Sequence, residues 1–252
     1  MGQRYKKIII FFIILSILGG LFTVFFTFFF DHAVLIRQNT FYRARVPEKV
    51  VALTFDDGPS PIWTPPILDA LQNSRVKATF FMLGKHVEEY PDIARRVARE
   101  GHDIGIHSYC HNNFIFYDKH EVQEDINKTR QIIREATGKS TTLFRPPKAW
   151  LSKREKKKIK GLGYTVVLWS LNSKDWVNFD DKYMLRYLVK NIHPGAIILF
   201  HDSGGFFKAE EGNRIETVNT ISRLTEKLRG KGYRFVTVSE LLEMEKTYES
   251  RQ

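Results

Sequence analysis

Val50-Val51-Ala52-Leu53-Thr54-Phe55-Asp56-Asp57-Gly58-Pro59 is an apolar run that ends in two adjacent carboxylates and closes on Gly-Pro. Residues 50–53 read as a buried strand, and the Gly-Pro turn stops it abruptly. Neighbouring side chains at a strand end point in different directions, so Asp56 and Asp57 can serve different partners. Metal-assisted hydrolysis needs that division, with one carboxylate on the metal and another free to take a proton from water. A bare Asp-Asp-Gly is more often a solvated turn. Three further polar clusters downstream turn the reading toward chemistry.

Outward from this strand, apolar runs alternate with amphipathic stretches. Strands are expected over residues 50–55, 77–83, 103–107, 143–145, 165–170, 196–200 and 233–236. Helices are expected over 64–73, 91–100, 119–137, 153–160, 181–191 and 216–229, with a last short helix capped by Ser239. Pro65 and Pro66 suit a first turn, and Gly101 and Gly138 suit helix ends. Strand–helix alternation argues for an α/β fold with parallel strands. Asp56-Asp57, His107, Arg145, Asp175 and His201 each fall at or just beyond the C-terminal end of an expected strand. That edge is where catalytic groups gather in a (β/α) barrel, so a single barrel-like domain is expected.

The 252 residues carry 39 Lys and Arg against 28 Asp and Glu, a formal net charge of +11. This balance favours an anionic partner without choosing among nucleic acid, acidic lipid and an anionic polymer. Cys110 is the only cysteine, so no intrachain disulfide forms. Residues 1–7 carry Arg4, Lys6 and Lys7, and residues 8–30 follow without a charge. Roughly 20 apolar helical residues cross a bilayer core. The run is long, Phe-rich near its end and lacks an Ala-x-Ala before Asp31, so it reads as an uncleaved transmembrane anchor rather than a cleaved signal peptide. The basic tip, residues 1–7, is expected in the cytoplasm and everything after Asp31 outside, with residues 31–45 as a polar juxtamembrane linker. An exterior domain makes nucleic acid an improbable partner and an envelope polymer or acidic lipid a better one. The basic stretch 153–160 (KREKKKIK) reads first as a solvated helix face after the cap Ser152.

His107-Ser108-Tyr109-Cys110-His111 places two imidazoles four residues apart, just past a strand. Imidazole nitrogen and carboxylate oxygen suit Zn²⁺, with Co²⁺, Ni²⁺ and Fe²⁺ as alternatives. One carboxylate of the Asp pair with these two rings makes a two-His-one-carboxylate site with open positions. His-x-x-x-His alone is weak; beside the Asp pair it becomes informative.

Thr54-Phe55-Asp56-Asp57-Gly58-Pro59, His107-Ser108-x-x-His111, Arg145-Pro146-Pro147, Lys174-Asp175-Trp176 and Leu199-Phe200-His201-Asp202 occur in this order. Together they resemble the five motifs of the NodB-type polysaccharide deacetylases, carbohydrate esterase family 4. Asn213-Arg214 with Thr217-Val218, and the closing Gly232-Tyr233-Arg234-Phe235-Val236-Thr237-Val238, also resemble that family's C-terminal end. The resemblance spans residues 46–242, leaving 243–252 as a polar tail. It implies a distorted (β/α)7-type barrel, related to the eight-stranded kind. It implies that Asp57, His107 and His111 hold a divalent metal, with Asp56 as general base and His201 as general acid. Arg145 would orient Asp56 and Asp175 would tune His201. A backbone N–H at Lys148 would stabilise the oxyanion, and Pro147, Trp176 and Leu199 would line the groove for acetyl group and sugar. The implied activity is removal of N-acetyl groups from an extracytoplasmic polysaccharide, peptidoglycan first. No protein partner is implied.

Other readings stay open at this level. Poly-N-acetylglucosamine, a chitin-like oligomer or a lipid-linked sugar would suit the same chemistry, as would an O-acetyl ester. An inactive carbohydrate-binding module on the same fold is the reading from another class. Arg145 could be a surface arginine and Trp176 a core residue; His86, His102, His120 and His193 read as surface or loop residues, and Cys110 as a small buried filler. The family usually has Tyr and then Gly where Lys148 and Ala149 stand, and a cation there would favour an acidic substrate. It often has Asp-Pro at Asn172-Ser173. Residues 204–212 (GGFFKAEEG) are longer than usual, and Phe206-Phe207 are expected to cover the site.

Overall fold

The computed structural model describes residues 2–31, 37–114, 117–177, 180–204 and 212–252. The strands are β1 (Val50–Asp56), β2 (Thr79–Met82), β3 (Asp103–Ile106), β4 (Leu143–Phe144), β5 (Thr165–Val166), β6 (Leu171–Asn172), β7 (Ala196–His201) and β8 (Arg234–Phe235). The helices are α1 (Gly2–Asp31), α2 (Thr64–Asn73), α3 (Gly84–Glu89), α4 (Pro91–Arg99), α5 (Lys119–Thr137), α6 (Lys153–Gly161), α7 (Asp181–Asn191), α8 (Ile215–Gly230) and α9 (Val238–Glu249). The strands run in the order β5-β4-β3-β2-β1-β7-β6, and β8 pairs with the start of β1. Every pairing is parallel. This is the distorted (β/α) barrel the alternation of elements implies.

β1 is central and buried along its whole length, as a parallel strand covered on both faces must be. Its side chains divide with the period of two. Val51, Leu53 and Phe55 face outward into the main core under the helices, with Leu68 of α2, Ile126 of α5, Leu188 of α7 and Leu224 of α8. Val50 and Ala52 face the barrel interior with Phe81, Val167, Ile197 and Leu199. The same alternation turns Asp56 inward at the strand's end.

Where the edge strands β5 and β6 would leave the barrel open, residues 41–44 run from the end of β5 to the start of β7. Phe41 bridges Val167 in parallel, and Arg43 bridges Ala196 antiparallel. Phe41 N–H donates to the Val166 carbonyl at 2.8 Å, and Ala44 N–H to the Gly195 carbonyl at 2.9 Å. Phe41, Ala44 and Val46 are buried in the inner cluster. The C-terminal part of the expected linker is therefore built into the domain.

Local signals place most helix ends. Asp118 and Ser152 form capping boxes with Glu121 and Glu155 at the starts of α5 and α6. Thr237, not Ser239, caps α9, again through a capping box, with Glu240. That helix runs on to Glu249, because Leu242, Met244 and Tyr248 pack against the inner cluster. Three single-residue expectations fail on burial. His86 and His102 are buried rather than on the surface, where Nδ1 of each ring has a backbone partner. Cys110 is exposed rather than buried. Phe206 and Phe207 lie outside the described residues.

α1 stands apart in character. Residues 5–22 expose every side chain, and the helix is long and apolar enough to cross a membrane.

Candidate active site

The strand ends deliver the polar residues to one edge. Asp56 closes β1, where its Cα pairs with His201 at the end of β7 and with Phe81 in β2. His107 follows β3 directly, Arg145 follows β4, and Asp175 opens a short turn after β6.

Asp57, His107 and His111 offer ligand atoms that lie within 4.8 Å of one another. Asp57 Oδ1 is 3.3 Å from His107 Nε2 and 3.4 Å from His111 Nε2. That oxygen is buried without a hydrogen-bond partner. Buried polar atoms are nearly always satisfied, so an orphan oxygen beside two imidazoles is an arrangement that a bound cation would satisfy. The His107 ring is held from behind, with Nδ1 2.8 Å from the Arg145 carbonyl. That contact assigns the proton to Nδ1 and leaves the Nε2 lone pair facing Asp57. His86 Nδ1 lies 2.7 Å from the carbonyl of Asp57 itself and steadies the loop. Two nitrogens and one carboxylate oxygen fit Zn²⁺ or a similar divalent ion. Burial would push the Asp57 carboxyl up, but the adjacent His111 and His107 hold it well below the usual carboxylate range.

Asp56 has a different partner. Arg145 Nη1 donates to Asp56 Oδ1 at 2.7 Å and to Thr54 Oγ1 at 2.8 Å. Nη2 donates to the Leu168 carbonyl at 3.2 Å, and the guanidinium lies 4.0 Å from the centre of the Phe81 ring. Arg145 is wholly buried, which settles its reading against a surface arginine. The other oxygen, Asp56 Oδ2, is 3.8 Å from His107 Nε2, so Asp56 borders the ligand set.

On the neighbouring strand β7, His201 Nδ1 lies 2.8 Å from Asp175 Oδ1, and the His201 backbone N–H donates to Oδ2 at 2.8 Å. Burial works against a proton on this imidazole, but the Asp175 carboxylate outweighs it and raises the pKa. Burial likewise opposes charge on Asp175, while His201 and then Arg214 hold its pKa down. Thr217 Oγ1 donates to Asp175 Oδ2 at 3.0 Å, and Arg214 Nη1 to the Asp175 carbonyl at 3.0 Å.

Arg214, Thr217, Thr54 and Asp202 were not singled out from the sequence for such work. All four stand inside the quoted motifs without a role there, and only their buried contacts show one. Asp202 accepts from Gly58 N–H at 3.0 Å and from Thr64 Oγ1 at 2.6 Å, and burial raises its pKa to about 7. A Cβ at Gly58 would collide with that carboxylate, which is why glycine stands between Asp57 and Pro59.

The expected groove residues fall nearby. Pro147 is buried, Lys148 is exposed, and Trp176 is half-buried on the turn with Asp175. Leu199 is buried in the inner cluster. Lys148 and Ala149 both take positive φ, 55° and 58°, as do Asp57, Ser108, His111 and Lys174. Such non-glycine residues in the left-handed region are uncommon, and here they gather around one site.

A barrel with a largely buried two-His-one-carboxylate cluster at its C-terminal edge, flanked by an Asp–Arg pair and a His–Asp pair, is the arrangement of a hydrolase site. The family model "Polysaccharide deacetylase" matches residues 43–167. A peptidoglycan-N-acetylglucosamine deacetylase of Bacillus cereus is 38% identical over 197 residues, which is 77% of this chain and 89% of the relative. The peptidoglycan-N-acetylmuramic acid deacetylase PdaA of Bacillus subtilis is 31% identical over 215 residues, covering 84% and 78% of the two chains. A crystal structure of a peptidoglycan N-acetylglucosamine deacetylase with a bound hydroxamate-type benzamide superposes with a TM-score of 0.77 at 32% identity, covering 84% of this chain and 96% of that one. The chain belongs to the polysaccharide deacetylase family.

Proposed function

We propose that this protein is a metal-dependent N-deacetylase of peptidoglycan, held at the outer face of the cell membrane by residues 8–30. Residues 1–7 would lie in the cytoplasm and the domain of residues 46–242 outside. The observation that carries the reading is the convergence of Asp57, His107 and His111 beside an Arg145-held Asp56, with an Asp175-held His201 at the end of the neighbouring strand. Support for the substrate comes from the relatives named above, which act on peptidoglycan by name. Support for the anchor comes from α1, whose apolar side chains between Tyr5 and Phe22 find no protein core.

Asp57, His107 and His111 would hold the ion, most simply Zn²⁺, with Co²⁺, Ni²⁺ or Fe²⁺ as alternatives. When bound, the ion supplies Lewis acidity to the acetamide carbonyl and the attacking water. Asp56 takes the proton that water loses as its oxygen bonds to the acetyl carbon. Arg145 fixes the direction of that carboxylate. The backbone N–H of Lys148 donates to the developing oxyanion. His201 then gives its proton to the sugar nitrogen as the C–N bond breaks, releasing acetate and a free amine. Asp175 engages Nδ1, which leaves Nε2 for that transfer. The exposed ammonium of Lys148, near enough to disfavour a proton on His111, adds a positive charge at the mouth. It favours a substrate with a carboxylate beside the acetamide, as in a lactyl-bearing muramic residue.

The test is mass spectrometry of muropeptides from peptidoglycan treated with the purified full chain in detergent. The expected product is loss of an acetyl group from the amino sugars, abolished by a chelator and restored by Zn²⁺ or Co²⁺. Unchanged muropeptides from chain that has taken up metal would remove peptidoglycan as the substrate.

A further inference from the structure

At the strand-start end of the barrel, opposite the candidate active site, a cavity of about 790 Å³ lies between the residues that sew the barrel shut and the segment leading into β5. Arg37, Arg45 and Lys160 line it, and no acidic residue does so among the described residues. The rest of the wall includes Asn39, Tyr42 and Tyr164. Two buried polar atoms of this lining have no hydrogen-bond partner, Arg37 Nε and the Tyr164 hydroxyl. Both can donate. Buried donors without acceptors are rare enough to need an explanation, and here both belong to residues that line one basic cavity. The Arg37 guanidinium is otherwise held in place. Nη2 donates to the Trp169 carbonyl at 3.2 Å, and the group lies 4.7 Å from the centre of the Tyr42 ring.

We propose that this cavity binds the phosphate of an anionic membrane phospholipid, seating the base of the barrel on the bilayer. The choice of ligand chemistry follows from three cations, two orphan donors and no carboxylate. Arg presents a fork matched to phosphate oxygens, and Tyr O–H donors complete such a site. The choice of lipid over a soluble phosphate follows from the tether, and so rests on the anchor proposed above. α1 ends at Asp31 and Arg37 lines the cavity. Six residues span at most about 20 Å even when fully extended, so Arg37 cannot leave the headgroup region far behind. Each Lys or Arg near an anionic surface adds attraction, and the effect fades within a Debye length. Burial lowers the Arg37 pKa, a cost that a phosphate partner would offset. Seated this way, the C-terminal edge with Asp56 and His201 faces away from the lipid.

The test reconstitutes the full chain in nanodiscs of phosphatidylcholine alone or mixed with phosphatidylglycerol, and follows amide hydrogen exchange. Exchange over residues 37–45 and 160–166 is expected to slow by about tenfold in the mixed discs. The double variant Arg45→Gln with Lys160→Gln should lose that slowing while retaining its melting temperature and its acetate release from a soluble N-acetylglucosamine oligomer. Arg37→Gln should act in the same direction. Equal exchange in the two kinds of disc would overturn the proposal. The same slowing in phosphatidylcholine discs on adding glycerol phosphate would overturn the lipid assignment in favour of a soluble phosphate. Release of the chain from the discs by an alkaline wash would overturn the anchor, and the choice of lipid with it, while leaving the deacetylase reading intact.

Discussion

Arg145 Nη1 donates to Asp56 Oδ1 at 2.7 Å, with Arg145 fully buried and Asp56 only 3% exposed. The pair sits where β1 and β4 end, so the sheet itself fixes its geometry. A buried pair contributes little net stability when intact, but breaking it leaves a charge unpaired, at a cost of about 3–5 kcal/mol. Arg145→Met should therefore lower the denaturant midpoint by an amount equivalent to that range and reduce acetate release together with it. A loss under about 1 kcal/mol, typical of a surface pair, would show that the interaction is not what orients Asp56.

The Asp175 carboxylate raises the pKa of His201 against the effect of burial. In the proposed mechanism His201 must carry a proton to give to the sugar nitrogen, so turnover should fall as pH rises through the His201 pKa. Asp175→Asn removes the charge that raises it. The alkaline limb of the rate profile should then move to lower pH, and kcat should fall by about 10²–10⁴-fold. An unmoved alkaline limb would assign that limb to another group.

Much of this site is legible in the sequence because parallel strands are short and end on punctuation. Gly58-Pro59, Pro146-Pro147 and the His107-Ser108 turn each stop an apolar run, and the chemistry sits at the stop. What escapes is whatever depends on contacts distant in sequence. The stretch 165–170, expected as one strand, ends at Val166 because Leu168 N–H turns to the Phe41 carbonyl. A new strand, β6, begins at Leu171 beside β7. Phe41 gives no local sign that it closes a barrel. α3 gives no sequence signal, because its six residues are too short to show a periodicity before Pro91 starts α4. Nothing near His86 or Arg214 in sequence reveals the backbone carbonyls of Asp57 and Asp175 that they meet.

His102 links its burial to acid stability. Its ring accepts the Ala78 N–H at Nδ1, 3.0 Å away, and burial lowers its pKa from 6.5 to about 4. As pH falls below the ordinary value, the unfolded chain takes up this proton and the folded chain does not. The contribution is therefore complete above 6.5 and declines toward about 4. The slope is about 1.4 kcal/mol per pH unit across that window. His102→Gln keeps an acceptor for Ala78 and should flatten the slope by that amount in denaturant titrations at stepped pH. An unchanged slope would mean that the imidazole titrates normally when folded.

Lys148 stands exposed on the turn after Pro147, with its charge felt at His111. Lys148→Ala should lower kcat/KM on muramic substrates bearing the lactyl carboxylate by about 3–5-fold, the upper end of what an exposed charge pair contributes. It should change N-acetylglucosamine oligomers by less than twofold. Equal losses on both would place Lys148 in general binding rather than in selection.

The most direct test of the central claim counts acetate and new primary amines released from peptidoglycan by the full chain and by Asp56→Asn, with bound metal measured in both. The account predicts equal amounts of acetate and amine from the unmodified chain. It predicts at least a hundredfold loss of both in Asp56→Asn, with metal content unchanged, on the scale of a lost general base. Acetate without amine, or full turnover by the Asn variant, would contradict it.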